Sequence, residues 1–149
     1  MCKYIIIGQT GGIGSYLSNK IFEADAQSLI VLQSSPRSTF TYLKELKSIL
    51  YELENVKTRV IVVNCIGVAS VQGAQIDLAG SNYANVQFVE ELAKAISGFS
   101  FIQFIHLSTC LVYGINNGDV FDERSELNPV SLYSRQKLKA ELSLFNTKW

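Results

Sequence analysis

A tyrosine followed four residues later by a lysine occurs twice in this chain, as Tyr133-Ser134-Arg135-Gln136-Lys137 and as Tyr16-Leu17-Ser18-Asn19-Lys20. On a helix that spacing puts both side chains on one face, where the ammonium can hold a phenolate and depress a phenol pKa that is ordinarily about 10. Such a pair can exchange a proton with a bound carbonyl or hydroxyl. The spacing alone proves little, so position must choose between the two. Tyr16 falls in a helical pattern behind a glycine-rich turn and reads as surface or packing. Tyr133 instead follows the strand end Phe104-Ile105-His106-Leu107-Ser108-Thr109, which delivers two hydroxyls to the carboxyl edge of a sheet, where open α/β folds bind their ligands. A hydroxyl there can orient a reacting oxygen while Tyr133 moves its proton. Taken alone, Thr109 reads more simply as a strand-end hydroxyl bonded to backbone.

The second group is Gly8-Gln9-Thr10-Gly11-Gly12-Ile13-Gly14, glycines at three-residue spacing directly after a strand-like run and opening a helical one. Glycine accepts a positive φ, lets the backbone approach a pyrophosphate and lets a helix pack close to a strand, while the helix N-terminus offers N–H groups to the anion. Gly8, Gly11 and Gly14 suit those roles; Thr10 and Ile13 line the same turn, and Gly12 relaxes it. The bland alternative is a glycine-rich turn with no ligand. A site selective for NAD places an Asp or Glu about 20 residues on, at the end of the second strand. Gln33, Ser34 and Ser35 stand there, with Arg37 just beyond, so no acid in that stretch repels a ribose phosphate and Arg37 can pair with one. The sequence thus favours NADP over NAD, although Arg37 reads equally well as a solvated arginine.

These groups need elements to position them. Apolar runs predict strands over 3–7, 29–32, 60–66 and 101–107. Helical spacing follows the glycine turn through Ile13, Leu17 and Ile21, and recurs over 40–54 and 81–97. Residues 113–129 read as a polar loop containing Asn116, Asn117, Gly118 and Asp119, and a last helix starts near Ser131, an acceptable N-cap. Strands alternating with helices predict a doubly wound parallel sheet, and 149 residues suffice for one such domain, 1–149. The 13 basic and 13 acidic residues cancel, which argues against nucleic acid or an anionic membrane surface as partner. Cys2, Cys65 and Cys110 lack metal-ligand spacing, and Cys65 and Cys110 read as inert packing. No metal site is expected. With neither a leader-like start nor an apolar run of membrane length, the chain reads as soluble and cytoplasmic. His106, inside a strand, reads as a packed sheet residue, and Tyr113 likewise as packing.

In chain order, the glycine turn of 8–14, the strand end Asn64-Cys65-Ile66-Gly67, the Asn85-Val86 pair, Ser108-Thr109 with Val112-Tyr113-Gly114, and Pro129 ahead of Tyr133 and Lys137 form a set. That set resembles the N-terminal half of the extended short-chain dehydrogenases/reductases, which include NAD-dependent epimerase/dehydratases and dTDP-sugar reductases. The resemblance implies a Rossmann fold. It implies hydride transfer at a sugar carbon of a nucleotide sugar with NADP or NAD, as in epimerisation, dehydration or ketone reduction. By position it makes Thr109 the catalytic Ser/Thr, Tyr133 the general acid/base, and Lys137 the residue that lowers the tyrosine pKa and binds the nicotinamide ribose. Gly8, Gly11 and Gly14 would take the pyrophosphate, Ile66, Gly67 and Ser108 would line the cofactor, and Asn85 would lend structural support. Glu123 and Arg124 fall in a loop that the family uses near substrate.

Two departures from the pattern matter. Only one helix-sized segment lies between the second strand and the strand at Val60, so the usual third strand, with its adenine-binding acid, is missing or reduced to a few residues near Thr39 to Thr41. Family members also continue into a further strand and a smaller C-terminal domain that recognises the sugar nucleotide, whereas this chain reaches Trp149 just past the Tyr-Lys helix. The expectation is a fold truncated before its last strands and substrate domain, with the edge of the fourth strand open to pairing, for instance in a homodimer. The rival reading is a dinucleotide-binding module without turnover.

Overall fold

The computed structural model describes residues 2–115 and 120–147; Asn116, Asn117, Gly118 and Asp119 of the expected loop lie outside the described residues. The chain divides into two compact units, one built from 2–66 and 92–107, the other from 67–91 and 108–147.

The first unit holds a parallel sheet in the order β2-β1-β3-β4. Its strands are β1 (Cys2–Ile7), β2 (Leu29–Ile30), β3 (Arg59–Asn64) and β4 (Ile102–His106). Along the central pair Cys2 stands opposite Arg59 and Ile7 opposite Asn64, and β4 continues the register with Asn64 opposite His106. Ile5, Ile6 and Ile7 of β1 and Val60, Val62 and Val63 of β3 are all buried, so consecutive residues are covered on both faces. This is why these strands read as unbroken β-branched runs rather than alternating ones. Helix α1 (Gly12–Ala24) packs on β1, and α2 (Thr39–Asn55) sends Tyr42, Leu46 and Leu50 into the core. Among the described residues β4 is an edge strand, with Gln103 and Ile105 exposed.

Between β1 and β3 one expectation is corrected, and of the two alternatives for the third strand the missing one holds. The second strand was expected over 29–32, yet only Leu29 and Ile30 pair, because the chain beyond them is drawn to α2. Thr39 to Thr41 form no strand; they are the first turn of α2, which leaves four strands among the described residues.

In the second unit, α3 (Val71–Ile76) starts at the N-cap Ser70 and α4 (Leu78–Asn82) at the N-cap Asp77. A π-turn (Tyr83–Gln87) joins α4 to α5 (Phe88–Ile96), which runs on into the first unit. The single helix expected over 81–97 therefore starts earlier and carries an inserted wide turn, which rotates Asn85 into a fully buried position. α3 was not anticipated, since six residues are too few to display a period. A short 3₁₀ turn (Cys110–Tyr113) and α6 (Leu132–Phe145) complete the unit. Ser131 caps α6 as expected: its hydroxyl accepts from the Ser134 N–H, and the Ser134 hydroxyl accepts from the Ser131 N–H.

Candidate functional site

The glycine turn leaves β1 through Gly8, whose φ of +86° is costly for any residue with a side chain. A Cβ on Gly14 would overlap the Gly8 carbonyl oxygen and lie 2.7 Å from its carbonyl carbon, so α1 can approach the turn only with glycine there. Gly12 is different, for a Cβ on it would meet nothing within 4 Å. Gly11 is the N-cap of α1 and gives it no side-chain cap. The first bond inside the helix is made by Ser15 N–H to Gly11 O at 2.8 Å, so the N–H groups of Gly12, Ile13 and Gly14 come before any intrahelical acceptor. Thr10, Gly11, Gly12 and Ile13 are all exposed, which leaves this tip accessible to an anion. Ile66 stands against the turn, its N 3.0 Å from the position of a Cβ on Gly8. Its own N–H donates to Asn64 Oδ1 at 3.1 Å, which bends the chain as it leaves β3.

The competing Tyr-Lys pair is spent elsewhere. Lys20 donates to Glu23 at 2.7 Å and Tyr16 is exposed.

Tyr133 and Lys137 lie in the second unit, four residues apart on α6, with Tyr133 half-buried and Lys137 only 4% exposed. Burial holds the Lys137 amine below its ordinary pKa, and the charge of Glu141, one turn further along, offsets part of that shift. Glu141 also accepts a hydrogen bond from the Ser108 hydroxyl, so the segment carrying Ser108 and Thr109 is tied to the helix face that carries Tyr133, Lys137 and Glu141. Thr109 is half-buried, and its Oγ1 accepts from Leu111 N–H at 3.3 Å, the backbone role that its position alone suggested.

Behind this face lies a buried polar chain that the sequence did not announce. Asn85 Oδ1 accepts from Val68 N–H at 2.8 Å, and Asn85 Nδ2 donates to Gln136 Oε1 at 2.9 Å. Gln136 Nε2 donates to Ser81 Oγ at 3.0 Å, and that hydroxyl donates to Ala74 O at 3.0 Å. A Cβ on Gly67 would sit 3.0 Å from Asn85 Oδ1 and 4.0 Å from Lys137 Nζ, so Gly67, Asn85 and Lys137 form one cluster.

A model of the NAD dependent epimerase/dehydratase family matches residues 4–147. The chain belongs to that family. One curated relative, the uncharacterized UDP-glucose epimerase YtcB of Bacillus subtilis (strain 168), is 29% identical over 157 residues, covering 93% of this chain and 49% of its own. Among solved structures, dTDP-4-dehydrorhamnose reductase from Bacillus anthracis str. Ames, in complex with NADP, superposes with a TM-score of 0.76 at 16% identity over 99% of this chain and 50% of the reductase. MoeE5 in complex with UDP-glucose and NAD gives 0.75 at 20% identity over 95% and 48%. The chain spans about half the length of these relatives, and at such identities the structural likeness speaks for the fold.

In this member of the family several residues outside the family motif support the Lys137 cluster. Gln136 and Glu141 were not singled out from sequence, and only their polar character beside Lys137 on a packed helix could have flagged them. Other expectations fall out simply. His106 stacks on Phe104 and its Nδ1 lies 3.2 Å from Asn64 Nδ2, while Tyr113 stacks on Phe121. Glu123 and Arg124 sit in an exposed turn held by Asp122 and Ser125. Burial raises the Cys65 thiol pKa, but Cys110, expected as inert packing, is exposed because it opens the 3₁₀ turn instead of continuing the strand. No described helix is long and apolar enough to cross a membrane.

Proposed function

We propose that residues 1–149 act as one dinucleotide-binding domain that takes up NAD(P) and serves hydride transfer on a nucleotide sugar. The observation that carries this reading is the tip of α1, exposed, without a side-chain cap, and set behind a turn with no room for a side chain at Gly14. Gly8, Gly11, Gly12 and Gly14 would bring backbone against the pyrophosphate, and Thr10, Ile13, Ile66, Gly67 and Ser108 would line the cofactor. When bound, the nicotinamide supplies hydride exchange at a sugar carbon. Tyr133 would give or take the proton of the reacting oxygen, Thr109 would hold that oxygen, and Lys137 would favour the phenolate form of Tyr133. An ammonium that is costly to bury has the more to gain from an anion formed beside it. Membership of the epimerase/dehydratase family and relatives named for UDP- and dTDP-sugars support the substrate class.

Calorimetric titration with NAD and NADP, followed by turnover assays on dTDP- and UDP-sugars, tests the reading. Tyr133→Phe is expected to abolish turnover while dinucleotide affinity moves by less than about twofold. Parallel loss of both removes Tyr133 from the role, uptake without turnover on any sugar supports the binding-module alternative, and no uptake of either dinucleotide overturns the proposal.

A further inference from the structure

The sequence places no acid at the end of the second strand, yet the fold delivers one from another element. Glu45, in the second turn of α2, reaches back over the loop that follows β2. Its Oε1 accepts from Gln33 N–H at 2.7 Å, and its Oε2 accepts from Ser34 N–H at 2.8 Å and from the Ser34 hydroxyl. β2 pairs with β1 as Leu29 opposite Tyr4 and Ile30 opposite Ile5. Because β2 and β1 are parallel neighbours, the loop that leaves β2 with Gln33 and Ser34 and the glycine turn that leaves β1 at Gly8 both emerge at the carboxyl edge of the sheet. In open α/β dinucleotide sites this is where an acid meets the adenosine ribose hydroxyl, or an arginine meets a 2′-phosphate.

We propose that Glu45 is the coenzyme-selecting residue of this chain and that it selects NAD over NADP, an inference that rests on the dinucleotide reading above. A carboxylate offers about four lone-pair positions, and the bonds to Gln33 and Ser34 use three of them. The one remaining, on Oε1, can accept a hydrogen bond from a neutral ribose 2′-hydroxyl. A ribose 2′-phosphate meets the opposite situation. Its own negative charge faces a carboxylate, and the two backbone N–H groups that could have received it are already taken.

The local electrostatics agree. The Ser34 hydroxyl above all, with the Gln33 amide next, holds the Glu45 pKa below the ordinary carboxylate value, so the group is charged at neutral pH. Tyr42, one turn earlier on α2, has its phenol pKa pushed up by burial and further by the Glu45 charge. Arg37, the residue the sequence offered to a 2′-phosphate, is exposed, and its backbone N–H donates to Ser35 Oγ at 3.3 Å.

Calorimetric dissociation constants for NAD and NADP decide the matter without any turnover assay. The wild-type chain is expected to bind NAD at least about tenfold more tightly than NADP. Glu45→Gln, which keeps the shape and removes the charge, should weaken NAD and strengthen NADP until that ratio falls severalfold. Ser34→Ala, which loosens the carboxylate with little threat to folding, should move the ratio the same way by less, and Arg37→Ala should leave it unchanged. A wild-type preference for NADP, or a ratio that survives both Glu45→Gln and Ser34→Ala, overturns the role of Glu45 while leaving dinucleotide binding intact. Uptake of neither dinucleotide is a different failure, which removes the dinucleotide reading and this inference together.

Discussion

The tip of α1 and the cluster around Lys137 reach their form by opposite means. At residues 8–14 the chain works by leaving side chains out: Gly14 makes room for the Gly8 carbonyl, Gly8 takes a positive φ, and N–H groups are left without a cap. Around Lys137 the chain works by putting polar side chains in and satisfying them, through Asn85, Gln136 and Ser81, with Glu141 offsetting part of the cost of a buried amine. The first arrangement depends on space, and the second on partners. An intolerant glycine should therefore fail by overlap, and a polar-cluster residue by what its loss leaves unpaired.

The largest effect should come from Gly14→Ala. Its methyl group has nowhere to go but into the Gly8 carbonyl, so the variant is expected to lose about 3 kcal/mol of stability and its dinucleotide affinity with it, as read by urea unfolding and calorimetry. Next in size is the polar cluster. Asn85→Leu leaves the Val68 N–H and Gln136 Oε1 without their partner, and should cost about 2 kcal/mol. Gln136→Leu should cost a similar amount, and the double variant should cost less than the sum by about 1 kcal/mol. Strict additivity would mean that the cluster is a row of independent contacts and would dissolve half of the contrast.

Lys137 carries a smaller, pH-dependent signature. Its amine is harder to protonate in the folded chain than in the unfolded one, where its pKa is the ordinary 10.5. The unfolded chain therefore binds more protons between the lowered value and 10.5, so stability contributed by this group rises with pH across that window. Lys137→Met should remove that rise, which urea unfolding of both chains at neutral pH and in the upper part of the window would reveal. An identical slope in the two proteins would mean that the amine is solvated after all. Smallest is Gly12→Ala. The added methyl meets open space inside the first helical turn, so stability should stay level or gain roughly 0.5 kcal/mol, and a loss on the scale of Gly14→Ala would show that the turn is intolerant throughout.

The same contrast explains what could be read in advance. The strands β1 and β3 were legible because a doubly covered strand must be an unbroken apolar run, β4 from its apolar residues although Gln103 and Ile105 are exposed, and the Ser131 cap because its partner sits three residues away. β2 was read too long, since nothing local says that Glu45, 12 residues beyond Gln33, will capture the loop amides. The helix over 81–97 was read as regular because a π-turn costs one residue of phase, too little to see in a short apolar pattern.

By itself the sequence determined the alternation of strands and helices, the glycine spacing that suits a phosphate-binding turn, and the family to which the chain belongs. Each of these is written in residue types at short, regular separations, where backbone geometry alone links type to conformation. Only the tertiary structure decided that Gln136 joins Asn85 across 51 residues, and that an acid from α2 reaches the amides of the loop after β2. Those are pairings between distant segments, and a polar side chain carries no mark of which distant partner packing will bring within hydrogen-bonding reach.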